Sequence, residues 1–187
     1  MANPRGTDAH WPPGTVYAFE GKVPRIAPDA FIAPGAVIIG DVEIGAESGI
    51  WFHCLLRGDH NTIRIGARTN IQDGVIIHVD SGGLSTNIGD DVTVGHNAVV
   101  HACTLKNWAF VGIGATILDG AVIEEGGMLA AGGLLTPGKL IGPNELWTGS
   151  PAKLKRVMDA EERRRFDRNA ISYRELAHRF RAGLKAV

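Results

Sequence analysis

From Ile26 onward an aliphatic side chain returns at every sixth position: Ile26, Ile32, Ile38, Ile44, Ile50 and Leu56, then Ile65, Ile71 and Ile77, then Ile88, Val94 and Val100. The series closes with Leu105, Val111, Ile117, Ile123, Leu129, Leu135, Ile141 and Trp147. Only insertions before Ile65 and Ile88 and a one-residue contraction before Leu105 break the count. Two positions before these residues the side chain is usually small, as at Ala30, Ala36, Ser48, Cys54, Ala98, Cys103, Ala109, Ala115 and Ala121. Glycine follows directly at Gly45, Gly66, Gly89, Gly95, Gly112 and Gly142. A helix of ~3.6 residues per turn cannot keep a strict period of six on one face, and so many glycines also count against helix. Large and small inward side chains in alternation fill a narrow prism. The pattern predicts a parallel β-helix over residues 26–152, with three units to a coil and six to seven coils.

The flanks read differently. Residues 1–25 carry Pro4, Pro12, Pro13 and Pro24, and the short apolar run Val16-Tyr17-Ala18-Phe19 predicts a strand capping the open end of the solenoid. Gly149-Ser150-Pro151-Ala152 is a turn signal that ends it. Residues 153–187 are expected to carry a helix packed on the β-helix, running from about Asp159, a plausible N-cap, to Leu184. Phe166, Ala170, Tyr173, Ala177, Phe180 and Leu184 form its apolar stripe. Arg163, Arg164 and Arg165 are expected on its solvated side.

Composition narrows the function classes. A chain of 187 residues, 44% hydrophobic and 21% charged, has the size and balance of one ordinary globular domain. A net charge of −1 gives no reason to expect nucleic acid or an anionic membrane as a partner. The first residues lack the basic start and apolar core of a signal peptide, and no apolar run reaches membrane-spanning length. Cys54 and Cys103 make no metal or redox spacing and fall on small inward positions, so both read as core. A cytoplasmic, reducing compartment is the expectation.

Candidate chemistry gathers between Ile71 and Leu105, which holds three of the seven histidines: His78, His96 and His101. The units opening at Leu56, Ile77 and Val100 lie one coil apart, so Arg57, His78 and His101 share one column. Asp73 and His96 share another. Neighbouring strands lie ~4.8 Å apart, which lets two stacked imidazoles converge on one zinc at Zn–N ~2.0–2.1 Å. His96 is separated from His101 by a corner, so a three-histidine site would take His96 from a neighbouring subunit, most simply in a C3 trimer. Neutral imidazoles suit zinc, and iron or cobalt fits the same donors. Stacked outward histidines are also compatible with bare surface or a trimer seam without metal.

Arg57-Gly58-Asp59, Asn70-Ile71-Gln72-Asp73, His78, Gly95-His96-Asn97 and His101 through Cys103-Thr104 together resemble the gamma-class carbonic anhydrases, over roughly residues 23–151 and the following helix. That resemblance implies a left-handed β-helix, although the general crossover rule favours the other hand. It implies a homotrimer with a metal at each interface, bound by His78 and His101 of one chain and His96 of the next. Arg57 and Asp73 are the implied intersubunit ion pair. Gln72 would contact the metal-bound water, Asp59 and Asn70 the polar edge of the pocket, and Tyr173 would lie nearby from the helix. The implied reaction is the reversible hydration of carbon dioxide to bicarbonate, with zinc lowering the pKa of water to ~7 to supply hydroxide. The proton-relay glutamates of active relatives are replaced by His60 and Ser81, which predicts weak turnover unless the His60 imidazole, with an unperturbed pKa of ~6.5, shuttles protons. A metal-dependent thioesterase, a coenzyme A-dependent acyltransferase and a non-catalytic metal-binding assembly subunit remain the rival readings.

Overall fold

The computed structural model describes residues 14–185. Its backbone winds into a left-handed parallel β-helix of about seven turns, closed by one C-terminal helix. The six-residue aliphatic positions stack into three ladders. The first runs Ile38, Leu56, Ile77, Val100, Ile117, Leu135. The second runs from Ile26 through Ile44, Ile65, Ile88, Leu105 and Ile123 to Ile141. The third runs from Ile32 through Ile50, Ile71, Val94, Val111 and Leu129 to Trp147. All but Ile26, Ile32 and Trp147, at the two ends of the prism, are buried. The interior is a stack of branched aliphatic side chains with Ala36, Cys54, Ala98, Cys103, Ala109, Ala115 and Ala121 between them.

The three edges of the prism are not equivalent. Between the first and third ladders, and between the second and third, the chain turns sharply. Between the first and second, the strands Val37–Ile44 and Leu55–Ile65 continue round the edge. Among the described residues the first two ladders therefore merge into one twelve-stranded sheet, and the third stands apart with eight strands. Both insertions fall on this same edge. Asn61 and Thr62 of the first touch Ser85 of the second through side-chain hydrogen bonds of 3.0 and 2.9 Å.

The ends refine the expectations from sequence. Thr15–Tyr17 is a strand, with Val16 paired to Ile38, so it adds a rung below the first ladder at the open end. Pro4, Pro12 and Pro13 lie outside the described residues. After the turn at 149–152 the chain does not pass straight to helix. Lys153–Val157 forms an exposed strand antiparallel to Glu145–Thr148. The helix follows at Ala160–Gly183, with the Asp159 carboxylate accepting from the backbone N–H groups of Glu161 and Glu162. It lies along the third ladder of its own chain. Tyr173, Ala177 and Phe180 pack on Phe31 and Trp51, while Phe166 packs on Met128, Leu146 and Met158. Arg163 is not on a solvated side: its side chain is 12% exposed and pairs with Asp167 at 2.5 Å. The helix presents that position to the prism edge at Gly126 and Asn144, where burial lowers the arginine pKa. Among the described residues no helix is long and apolar enough to cross a membrane.

Candidate metal centre

Parallel pairing sets Arg57, His78 and His101 on consecutive rungs of the first ladder, with side chains outward. The two imidazoles face each other, His78 Nδ1 lying 3.1 Å from His101 Nε2. Each outer nitrogen meets a carboxylate. His78 Nε2 lies 3.1 Å from Asp59 Oδ1 and His101 Nδ1 lies 2.5 Å from Asp119 Oδ1. Burial opposes charge on Asp59, but the backbone N–H of His60, the His78 ring and Arg57 outweigh it and bring its pKa down to about 2. Burial lowers the His78 pKa despite the pull of Asp59. The carboxylates accept hydrogen bonds from outer N–H groups, which leaves a lone pair on each inner nitrogen. Two such lone pairs at 3.1 Å repel unless a cation lies between them. Two nitrogens on one tetrahedral zinc stand about 3.3 Å apart at Zn–N ~2.0–2.1 Å. The donor pair fits a metal.

His96 sits on the next edge, after the third ladder, and is built the same way. Its Nδ1 lies 2.8 Å from Asp73 Oδ2, one rung below, and its Nε2 lies 3.1 Å from the Tyr173 hydroxyl on the helix. Burial, then the charge on Asp73, raises the Tyr173 pKa, so the phenol keeps its proton and its O–H donates a hydrogen bond to Nε2. Beneath the helix runs a buried amide chain. Gln72 Nε2 donates to Asn70 Oδ1 at 3.1 Å and to Asn169 Oδ1 at 3.4 Å, and Asn70 Nδ2 donates to Thr93 Oγ1 at 2.9 Å. The Gln72 carbonyl accepts the His96 backbone N–H at 3.2 Å. Gln72 is only 4% exposed, and every hydrogen-bonding group it has is engaged, so its amide is held in one orientation. Next to it, between the helix and the third ladder, is a cavity of about 310 Å³ lined by Gln72, His96, Phe110, Met128, Asn169 and Tyr173, among others.

The structure thus brings together His78, His101, Asp59 and Arg57 on one edge, and His96, Asp73, Gln72, Asn70 and Tyr173 on another. Within one chain the two groups do not meet. Among the described residues no three His, Cys, Asp or Glu side chains converge on a common point fit for a metal ion. Arg57 pairs with Asp59 in its own chain, because Asp73 lies round the corner against His96. His60 is exposed on the first insertion. Sequence reasoning missed Asp119 and Asn169. Asp119 lies one residue beyond the position stacked above His101, and carrying the column arithmetic upward as well as downward finds it. Asn169 had no such signal, since its place depends on how the helix docks.

No family model matches the chain. Among curated proteins, it is 48% identical over 161 residues to a mitochondrial gamma carbonic anhydrase of Arabidopsis thaliana, covering 83% of this chain and 58% of the relative. The chain therefore spans less than two thirds of that relative's length. It is 45% identical over 167 residues to the carbonic anhydrase of Geobacillus kaustophilus, covering 89% of this chain and 91% of that protein. Among solved structures, a hexapeptide transferase family protein from Anaplasma phagocytophilum superposes with a TM-score of 0.85 at 46% identity, over 89% of this chain and 98% of the other.

Proposed function

Because the chain belongs to the gamma-class carbonic anhydrase family of hexapeptide-repeat proteins, we propose that it catalyses the reversible hydration of carbon dioxide to bicarbonate in a metal site shared between subunits. The observation that carries the reading is the arrangement of the three histidines. Each has one nitrogen committed to an aspartate, Asp59, Asp119 or Asp73. His78 and His101 therefore each offer the other nitrogen as a neutral donor, and His96 would offer Nε2 once the Tyr173 hydroxyl turns from it. A carboxylate partner of this kind orients metal-binding histidines and makes them more basic. His78 and His101 of one chain with His96 of the next would hold zinc, with iron or cobalt as alternatives of the same coordination preference. Bound there, such a cation supplies the Lewis acidity that brings the pKa of water toward ~7.

The protein's own groups do the rest. Gln72, fixed by Asn70 and Asn169, orients water and carbon dioxide beside His96 without adopting other rotamers. Asp59 keeps the His78 ring turned and sets the polar rim. His60, exposed where the strand Leu55–Ile65 rounds the adjoining edge, is the candidate to carry the released proton to solvent. Arg57 of one chain and Asp73 of the next would form an ion pair once assembly draws each from its own-chain partner. A C3 homotrimer is supported by the outer surface of the first ladder. There Leu55, Ile76 and Val99 form a half-buried to exposed apolar column beside the histidine pair, with Ile76 43% exposed, and Thr116 follows them on the next rung. Two free, buried cysteines suit the reducing compartment of a cytoplasmic protein, which we include in the proposal.

The test is a stopped-flow carbon dioxide hydration assay on protein of measured metal content, reconstituted anaerobically with zinc and with iron. Hydration that rises in proportion to bound metal is the expected result. Metal-replete trimers that do not hydrate carbon dioxide overturn the reading. Activity toward an acyl-coenzyme A that survives complete metal removal would assign the chain to acyl transfer, the chemistry of other enzymes with this solenoid.

A further inference from the structure

Asp119 has no place in the motifs that define the candidate centre, yet it makes the closest contact to it, 2.5 Å from His101 Nδ1. Its position is fixed by the solenoid. The turn that carries it is pinned below by Gly120 N–H to the Ala102 carbonyl, at 2.8 Å, and above by the Gly138 N–H to the Asp119 carbonyl, at 2.9 Å. The Leu84 side chain, on the second insertion, reaches over the same turn at Gly120. These bonds fix the backbone of the turn, and among the described residues the half-exposed carboxylate has one hydrogen-bond partner, His101.

The His78–His101 pair has two ways to satisfy itself. If His101 carries its proton on Nε2, that N–H donates to His78 Nδ1 across the 3.1 Å gap, and the two rings close on each other with no need of a cation. If the proton is on Nδ1, both inner nitrogens present lone pairs, and the gap becomes a cation site. Asp59 settles the tautomer of His78. Among the described residues, Asp119 is the one outer partner that settles that of His101.

We propose that Asp119 is the positioning residue that keeps His101 in the Nδ1–H tautomer, and so holds the histidine pair open for a divalent cation. The inference rests on the metal-centre reading, but it concerns a residue that reading does not use. Removing the acceptor frees His101 to flip its proton inward and hydrogen-bond His78. Loss of an outer partner of this kind costs roughly 10–100-fold in metal affinity.

The experiment uses the full chain as parent, Asp119→Leu and Asp119→Asn. Zinc affinity is measured by competition with a chromophoric chelator, and the His101 tautomer in metal-free protein by the pattern of nitrogen-15 ring shifts. The parent is expected to show the Nδ1–H tautomer. Asp119→Asn, whose amide carbonyl still accepts, should stay within a few-fold of parent affinity. Asp119→Leu should lose roughly 10–100-fold and show the Nε2–H tautomer, with its melting temperature near that of the parent. A metal-free parent in the Nε2–H form, or a folded Asp119→Leu protein that binds zinc as the parent does, overturns the proposal. Should Asp119→Leu fail to fold, the parent tautomer and the behaviour of Asp119→Asn still decide it. A parent that binds no zinc at all sinks the metal centre instead, and the tautomer measurement still decides the role of Asp119 on its own.

Discussion

A site divided between chains makes a quantitative prediction by subunit mixing. The register stacks His78 on His101 within a chain, while His96 is turned toward Asp73 and Tyr173 on another edge. His78→Ala and His96→Ala trimers should each lose metal, since every interface then lacks one of three ligands. Unfolded together in equal amounts and refolded, the two chains assemble at random. About three-quarters of the trimers are then mixed, and each mixed trimer has one interface where an intact His78–His101 pair meets an intact His96. That is one interface in three, so about a quarter of all sites should regain metal, and activity in the same proportion. Metal content by mass spectrometry, together with the hydration rate, reads the result, with the two variants refolded separately as controls. A site built within one chain predicts zero, because every chain lacks a ligand. No recovery from mixtures shown to contain mixed trimers would refute the divided site.

Three further outcomes follow from the same structure. Ile117, fully buried between Val100 and Leu135, should lose roughly 2–5 kcal/mol of stability in denaturant when changed to alanine, whereas exposed Lys139→Ala should stay within about 0.5 kcal/mol; equal effects would contradict the inward column. Burial pushes the Cys54 and Cys103 thiols up to about 12, above the ~8.5 of an unfolded thiol. The neutral thiols' contribution to stability is then complete below pH ~8.5 and drains away as the pH climbs toward 12. A Cys54→Ala/Cys103→Ala protein should show a shallower alkaline decline, and the parent thiols should resist a disulfide reagent until unfolding; a parent that reacts at once while folded would be inconsistent with that burial. If His60 carries the proton out, external imidazole buffer should raise kcat of His60→Ala more than that of the parent while kcat/KM changes little, and equal buffer dependence in both would remove His60 from the proton path.

The core and the histidine pair were legible because both follow from one integer. A period of six with three units per coil fixes which residues point inward, and it fixes that Arg57, His78 and His101 share a column, as they do. The same arithmetic places Asp73 beneath His96. What escaped depends on how separate elements dock. Lys153–Val157 alternates charge and apolar residues too loosely to announce a strand, and it becomes one by pairing with the half-buried strand Glu145–Thr148. Arg163 sits among charged residues that read as surface, and only the helix's seat against Gly126 and Asn144 covers it. The burial of Gln72 and its bond to Asn169, 97 residues away, come from the same docking. Two of the three aspartates behind the histidines were visible, since Asp73 and Asp59 lay in motifs and Asp119 did not.

The proposed division of the site between ladder and neighbour would also set the order in which it forms. His78 and His101 are 23 residues apart, and a single added coil brings them together, so two donors are in place as soon as that part of the sheet has closed. This step is unimolecular and independent of dilution. With the site divided as proposed, the third donor would wait for an encounter between chains. At low protein concentration, metal capture would then be second order in polypeptide even while β-sheet formation remains first order, and the lag between the two signals would lengthen as the sample is diluted.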